Sequence, residues 1–125
     1  MKTGNPYILS LLILTIGVAL SPCSAGGVNK GDPKRGVKIF SAMTCDICHL
    51  HGGNMQNPDR PIKGAAFQKR YPDDVSLGQL IRKGISDKGM PAFGRDRMSD
   101  QDLADVIAYV RSLSPPLAAA KKKTK

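Results

Sequence analysis

The sequence predicts an all-α fold. Three segments of the 125-residue chain carry apolar residues at three- and four-residue steps, which is the spacing of one helix face. A capping residue precedes each of these segments, and no stretch alternates polar and apolar residues over the length of a β-strand. About a hundred residues remain once the N-terminal segment is set aside, enough for one domain with a thin core.

The first 25 residues have the order of a secretory signal peptide. Lys2 precedes an apolar run at 7–20, and small residues follow that run. A membrane-spanning helix needs roughly 20 apolar residues, so this run is too short to cross a bilayer comfortably. We expect cleavage near Ala25, a short leader at 26–31, and export to the periplasm.

A lipid anchor is the alternative to this soluble exported form. Residues 20–23 resemble a lipoprotein cleavage box, which would leave a lipidated Cys23 at the mature N-terminus. Pro22 fits that box poorly, because a small residue is preferred immediately before the cysteine.

The first helix is predicted over 32–43. Asp32 is a suitable N-cap, and Pro33 suits the first helical position. Apolar residues then recur along one face: Val37, Phe40 and Met43. Gly36 lies on the same face and would let a second helix approach closely.

The segment 50–72 is rich in Gly, Asn, Pro and basic residues and is predicted to be mostly irregular. A second helix follows it, capped by Asp73 or Asp74. Its apolar face consists of Leu77, Leu80 and Ile81. Gly84 is expected to end this helix as a left-handed C-cap.

The last helix has the clearest pattern. Ser99 and Asp102 form a start that resembles a capping box, and Pro115 and Pro116 stop the helix. Its apolar face consists of Leu103, Val106, Ile107, Val110 and Leu113. The domain therefore extends over 32–114, and 115–125 is a basic, disordered tail.

The charge of the chain is strongly positive. The chain has nineteen Lys and Arg and ten acidic residues, all of them Asp. Removal of Lys2 with the signal peptide leaves a net charge of +8. Such a charge favours acidic protein partners, or peripheral contact with an anionic membrane, and steers encounters in a salt-dependent way. Export argues against a nucleic-acid target.

Residues 45–49 read CDICH, and a Cys-x-x-Cys-His run indicates covalent c-type haem attachment. Two cysteines three residues apart on a helical turn can reach the two vinyl groups of one porphyrin. The adjacent His49 then directs its imidazole at the iron from the same side. The sequence therefore predicts thioether bonds from Cys45 and Cys48 to one haem.

Two other readings of the motif are weaker. A disulfide between Cys45 and Cys48 would be a redox motif, which usually belongs to a βαβ pattern that is absent here. Zinc would need His49 and His51 as well, and four ligands within seven residues leave little freedom for a tetrahedron. His51 is also too close in sequence to His49 to reach the opposite face of the iron.

The sixth iron ligand is expected to be Met90. Gly89 and Pro91 give it a defined, non-helical backbone, and a His/Met axial pair is an established haem ligation. The other mature methionines have different expected roles: Met43 in the core, Met98 as a hydrophobic staple, and Met55 in a polar loop as the weaker rival ligand.

The chain resembles the bacterial class I (monohaem) cytochromes c over roughly 32–114. The resemblance rests on the helix GVKIF, the motif CDICH, the loop KGMPAF and the helix ending DVIAYVRSL. It implies a cytochrome c-like fold of a few short helices around one covalent haem. It also implies that Gly36 and Phe40 cross Val106 and Tyr109. A proline carbonyl should accept a hydrogen bond from the proximal histidine, with Pro61 or Pro58 as the match.

These ligands and this resemblance imply a one-electron carrier between exported redox partners, not an enzyme. With His49 and Met90 both bound, the iron has no vacant position for a small-molecule substrate. A monomer docking with acidic redox proteins is expected. The alternatives are a fixed haem c subunit of a larger oxidoreductase and, with a displaceable Met90, a peroxidase or gas-binding protein.

Overall fold

The computed structural model describes residues 30–115 and confirms the all-α prediction for them. Five α-helices occur within this range: α1 (Pro33–Ala42), α2 (Cys45–His49), α3 (Ala65–Arg70), α4 (Asp74–Lys83) and α5 (Asp100–Ser112). Short 3-10 turns lie at Leu50–Gly52 and Ser86–Lys88. The predicted signal peptide and the lysine tail lie outside the described residues. None of the helices in the described part has the length and apolar character needed to cross a membrane.

The three longer helices begin at the capping residues that the sequence predicts. The Asp32 carboxylate accepts a backbone N–H of the first turn of α1. Asp73, rather than Asp74, caps α4 in the same way. At α5 the Ser99 hydroxyl accepts the backbone N–H of Asp102 at 3.1 Å. Local sequence signals therefore determine where these helices start.

Helices α1 and α5 cross at a glycine, as the resemblance implies. A Cβ placed on Gly36 would collide with the backbone carbonyl of Asp105 and lie 2.8 Å from the Tyr109 Cβ. One turn later the Phe40 ring packs edge-on against Tyr109, with ring centroids 5.2 Å apart. Only a residue without a side chain permits this approach. The first and last helices thus form one compact pair.

The core is formed mainly by α1, α4, α5 and the loop before α5. Its buried members are Phe40, Phe67, Leu77, Ile81, Phe93, Met98, Val106, Ile107 and Val110. The prediction that Val37 belongs to this core is wrong, because its side chain is 42 % exposed. Contact with α5 is centred on Gly36 and Phe40, four residues apart, and this places the intervening Val37 at the edge of the interface.

The segment 50–72 is mostly irregular, as predicted, apart from the 3-10 turn Leu50–Gly52 and helix α3, which the sequence did not indicate. The six residues of α3, AAFQKR, are too few to show a helical periodicity in the sequence. Phe67 fixes the helix to the core, where it is 3 % exposed, and its ring lies 5.3 Å from that of Tyr71. Most of its residues are good helix formers, but a helix this short is not stable alone, so the packing of Phe67 is needed to stabilise it.

Gly84 ends α4 as predicted but in a different conformation. Its φ of +68° is positive, whereas its ψ of −173° is extended rather than left-handed helical. The backbone of Met90, Pro91 and Ala92 lies so close that a Cβ at Gly84 would be 2.6 Å from the Met90 carbonyl oxygen. This glycine therefore brings the loop containing Met90 against the end of α4.

Candidate cofactor site

A cavity of about 630 Å³ opens between the helices. This volume lies within the range of roughly 300–1,000 Å³ that ligand pockets occupy. Cys45, Cys48, His49 and Met90, the four residues predicted to form the site, all line it. The fold therefore brings together side chains that are up to 45 positions apart in the sequence.

The two cysteines lie on α2, three residues apart, and neither forms a disulfide. Both are partly buried. Burial is the main cause that raises the pKa of the Cys45 thiol to about 11, and the neighbouring Asp46 carboxylate adds to it. Cys45 is therefore a protonated thiol at neutral pH. The cavity wall thus presents two sulfur atoms that could bond to a ligand.

The imidazole of His49 is oriented by a backbone carbonyl. Its Nδ1 lies 3.0 Å from the carbonyl oxygen of Gly53. With Nδ1 as the donor, Nε2 keeps a free lone pair, which is the state that a metal ligand requires. His51 is exposed and is not among the cavity-lining residues.

The acceptor of this hydrogen bond differs from the expected proline carbonyl. Neither Pro58 nor Pro61 takes the role, because the 3-10 turn Leu50–Gly52 folds the chain back immediately after α2. The Gly53 N–H bonds to the Leu50 carbonyl at 2.9 Å, and this turn carries the Gly53 carbonyl to the imidazole.

Met90 is held on the cavity wall through its own backbone. It exchanges two hydrogen bonds with Ile85, at 2.8 and 3.0 Å, which close the loop that follows α4. The next anchor is the Phe93 N–H, which bonds to the Ile81 carbonyl at 3.1 Å. The rigid loop expected around Met90 is therefore tied to the end of α4.

The other methionines separate into two groups. Met43 and Met98 also line the cavity, and Met98 is 1 % exposed within the same core cluster as Leu103. Met55 is 62 % exposed and lines a separate surface recess. The geometry therefore removes the main rival ligand from the cavity but leaves three thioethers on its wall.

The chemistry of the cavity wall fits a porphyrin. Its interior is apolar, with Phe40, Leu77 and Val106 among the residues that form it. Three cationic side chains line it, Arg60, Arg70 and Lys88, and none of the described carboxylates does. An apolar macrocycle with two acidic substituents and two thiol-reactive vinyl groups would match the apolar, cationic and cysteine side chains of this lining.

Asp105 is a buried residue that the sequence patterns did not single out, and it connects α1 to α5. It is fully buried and accepts the Asp32 N–H at 2.7 Å and the Gln101 side-chain amide at 3.0 Å. Its second oxygen lies 3.3 Å from the guanidinium of Arg35. A charged residue on the apolar face of α5, directly before Val106, was the available signal. Asp105 fixes the start of α1 to the middle of α5.

The chain matches a family model over most of the described range. Residues 31–110 match the family described as cytochrome c oxidase, cbb3-type, subunit III. A cytochrome c6 from Bumilleriopsis filiformis is 37 % identical over 84 residues, covering 66 % of this chain and 93 % of the relative. A cytochrome c6 from Gloeothece citriformis is 35 % identical over 111 residues, covering 87 % of this chain and 91 % of the relative.

A longer relative and two solved structures extend these matches. Cytochrome c4 from Azotobacter vinelandii is 31 % identical over 90 % of this chain, which spans about half, 53 %, of that relative. Cytochrome c6 from the diatom Phaeodactylum tricornutum superposes with a TM-score of 0.55 and 32 % identity, covering 74 % of this chain and 98 % of the other. Outer membrane cytochrome F from Geobacter sulfurreducens superposes with a TM-score of 0.54 and 28 % identity, covering 64 % of this chain and 99 % of the other.

Proposed function

The chain belongs to the class I cytochrome c family, and we propose that Cys45 and Cys48 bind its haem while His49 and Met90 ligate the iron. It is a monohaem cytochrome c that carries electrons. The observation that supports the ligand assignment best is the convergence of these four side chains on one apolar cavity. The remainder of the cavity wall is complementary to the same group.

Bound haem supplies reversible one-electron chemistry at its iron. The chain's residues set the conditions for it. The Gly53 carbonyl orients the His49 imidazole, and the loop closed by Ile85 presents the Met90 thioether. A thioether ligand favours the ferrous state and raises the potential. Buried apolar side chains exclude water, so little rearrangement accompanies each change of charge.

The filled ligand set explains why we propose a carrier rather than a catalyst. If His49 and Met90 both held the iron, no coordination position would be left for a substrate or a gas. The alternative of a peroxidase or gas-binding protein requires Met90 to leave easily. The two backbone hydrogen bonds between Met90 and Ile85 oppose that release.

We further propose that the partners are acidic redox proteins and that the chain acts as a monomer. The described residues carry 14 Lys and Arg against 10 Asp, a net charge of +4. The other half of the mature chain's charge comes from Lys121, Lys122, Lys123 and Lys125. Opposite charge on a partner would speed encounter and still permit rapid release.

Export to the periplasm remains part of the proposal, with a lipid anchor at Cys23 as the alternative form. The signal-like order of residues 1–25 supports export in both cases. The intact mass of the mature protein distinguishes the two. A mass beginning near Gly26 indicates the soluble form, and a mass beginning at Cys23 with added acyl chains indicates the anchored form.

The experiment that tests the ligand assignment compares Met90→Ala with Met55→Ala. Loss of the thioether at Met90 should abolish the weak far-red absorption of the oxidised protein, lower the potential and allow carbon monoxide to bind the reduced protein. Met55 is exposed and lies off the cavity, so its replacement should change none of these. Retention of the far-red band in Met90→Ala would assign the sixth ligand elsewhere, with Met98 the next candidate.

A fixed subunit of an oxidase is the second candidate function, because the matching family model is described by such a subunit. The same cavity and ligands would serve it equally well. Purification from the native host at moderate salt separates the two. A transient carrier should be recovered alone, whereas a fixed subunit should be recovered with its complex.

A further inference from the structure

We propose that Arg82 is a positioning residue that keeps Met90 at the iron by holding the loop that follows Met90. This inference rests on the proposed ligation by Met90. Residues 91–98 form that loop, which connects the ligand position to α5 and is here named the ligand loop. Arg82 lies in the last turn of α4 and is not itself a ligand.

One guanidinium group connects three parts of the fold. Arg82 Nη1 donates to the carbonyl oxygens of Phe93 at 3.0 Å and Met98 at 2.5 Å. Its Nη2 donates to an Asp100 carboxylate oxygen at 2.7 Å. The side chain is only 18 % exposed, so these bonds are largely shielded from water. Arg82 thereby joins α4, both ends of the ligand loop and the start of α5.

The main-chain anchors of the ligand loop act near Met90. Ile85 pairs with Met90, and the Ile81 carbonyl accepts the Phe93 N–H. An ion pair from Arg95 Nε to Asp100 at 3.0 Å also joins the loop to the start of α5, but the Arg95 side chain is 78 % exposed, so this pair contributes little. Among the described residues, Arg82 is the side chain from another element that bonds to the ligand-loop backbone. It alone reaches the far end of the loop at Met98. The connection from α4 to this far end therefore depends on one replaceable side chain.

The two carbonyl groups that Arg82 binds belong to residues that line the cavity. Phe93 is 4 % exposed and Met98 is 1 % exposed. A partly buried carbonyl without a donor is costly, so the loop would move to find another partner once the guanidinium is removed. That movement would displace two side chains of the cavity wall and loosen the segment that presents Met90. Lysine could not replace all three bonds, because it lacks the planar fork.

Arg111 provides a matched control with the same chemistry elsewhere. Its Nη1 donates to the Tyr71 carbonyl at 2.7 Å, and its Nε donates to Asp74 at 3.0 Å. Its side chain is 23 % exposed, close to the value for Arg82. It joins α5 to the start of α4, away from the ligand loop. Loss of either arginine should lower global stability, but only loss of Arg82 should release Met90.

The test compares Arg82→Gln with Arg111→Gln in the holoprotein. Two signals are followed during denaturant titration: the far-red thioether band of the oxidised form and the far-UV dichroism of the helices. In Arg82→Gln the band should disappear well before the helices unfold. Carbon monoxide should also bind the reduced variant about tenfold faster than wild type. Loss of one charged hydrogen bond from the Met90-bound form would make release of Met90 about tenfold more favourable. In Arg111→Gln both signals should fall together.

Coincident loss of both signals in Arg82→Gln, with unchanged carbon monoxide binding, would overturn the proposal. If that variant does not fold, Arg82→Lys should show the same early loss of the far-red band to a smaller degree. If Arg82→Lys instead loses the band together with the helices, the proposal is also overturned. A Met90→Ala variant that keeps the band would refute the ligand assignment itself, and the role of Arg82 with it.

Discussion

Replacing Gly36 by alanine should destabilise the protein, although alanine is the better helix former. The gain in helix propensity is about 1 kcal/mol. Against it, the new Cβ would lie 2.6 Å from the carbonyl carbon of Asp105 and 2.8 Å from the Tyr109 Cβ, where ordinary contacts are 3.4–4 Å. Backbone atoms of α5 cannot rotate away, so the two helices must separate by about 1 Å, an overpacking that costs up to about 3 kcal/mol.

The steric cost therefore exceeds the propensity gain, and we expect a net loss of about 2 kcal/mol. Separation of α1 from α5 would also weaken the Phe40–Tyr109 contact and the hydrogen bond from Asp32 to Asp105. For a domain of this size the midpoint of thermal unfolding should fall by roughly 10 °C. Guanidinium and thermal unfolding of the holoprotein, followed by far-UV dichroism, measure both quantities.

Gly78 is the control, since it is also a buried glycine within a helix that packs on α5. A Cβ there would lie 3.4 Å from Ile107 Cδ1 and 3.5 Å from Leu103 Cδ2, which are ordinary contacts with flexible side chains. Gly78→Ala should therefore be neutral or stabilising by up to about 1 kcal/mol. A Gly36→Ala protein as stable as wild type, or an equal loss in both variants, would refute the argument from helix crossing.

Three further predictions concern the buried carboxylate, a helix cap and the tail. Asp105→Ala leaves the Asp32 N–H without its acceptor and should lower the free energy of unfolding by about 2 kcal/mol. Arg35→Ala removes a half-exposed side chain from the same carboxylate and should lower it by less than about 1 kcal/mol. Equal losses in denaturant titrations of the two would contradict this. The backbone N–H of Ser76 donates a hydrogen bond to the Asp73 carboxylate and holds its pKa below the ordinary 3.8. The ionised carboxylate therefore stabilises the fold at pH values above 3.8. This stability is lost as the pH falls through the lower pKa that Asp73 has in the folded protein. Asp73→Asn should therefore show a shallower loss of stability on acidification, and an unchanged slope would count against the cap. Deletion of 117–125 removes about half of the mature net charge and should reduce the ionic-strength dependence of electron-transfer rates with an acidic redox protein in stopped-flow experiments. An unchanged dependence would place the docking charge on the folded domain.

Features determined by neighbouring residues were predictable from the sequence. Caps at Asp32, Asp73 and Ser99 depend on side chains within three positions, and the structure has all three. The spacing of CDICH likewise depends on one helical turn. The helix face indicated a close approach at Gly36, but the identity of the partner helix came from the resemblance, which supplies long-range information that a local pattern does not contain.

Features determined by distant contacts were not predictable in this way. Helix α3 depends on burial of Phe67, and the exposure of Val37 depends on where α5 crosses α1. The Gly53 carbonyl reaches His49 because of a turn whose geometry the residue types do not specify. Arg82 resembled any basic residue in a last helical turn, and its role became visible only when its three acceptors were known.

The proposed thioether bonds from Cys45 and Cys48 to one haem can be tested by the mass of the denatured, purified protein. We expect a single species heavier than the mature chain by one haem, with the pigment remaining on the polypeptide after extraction with acidified organic solvent. A mass equal to that of the chain alone, with the pigment recovered in the solvent, would contradict this proposal.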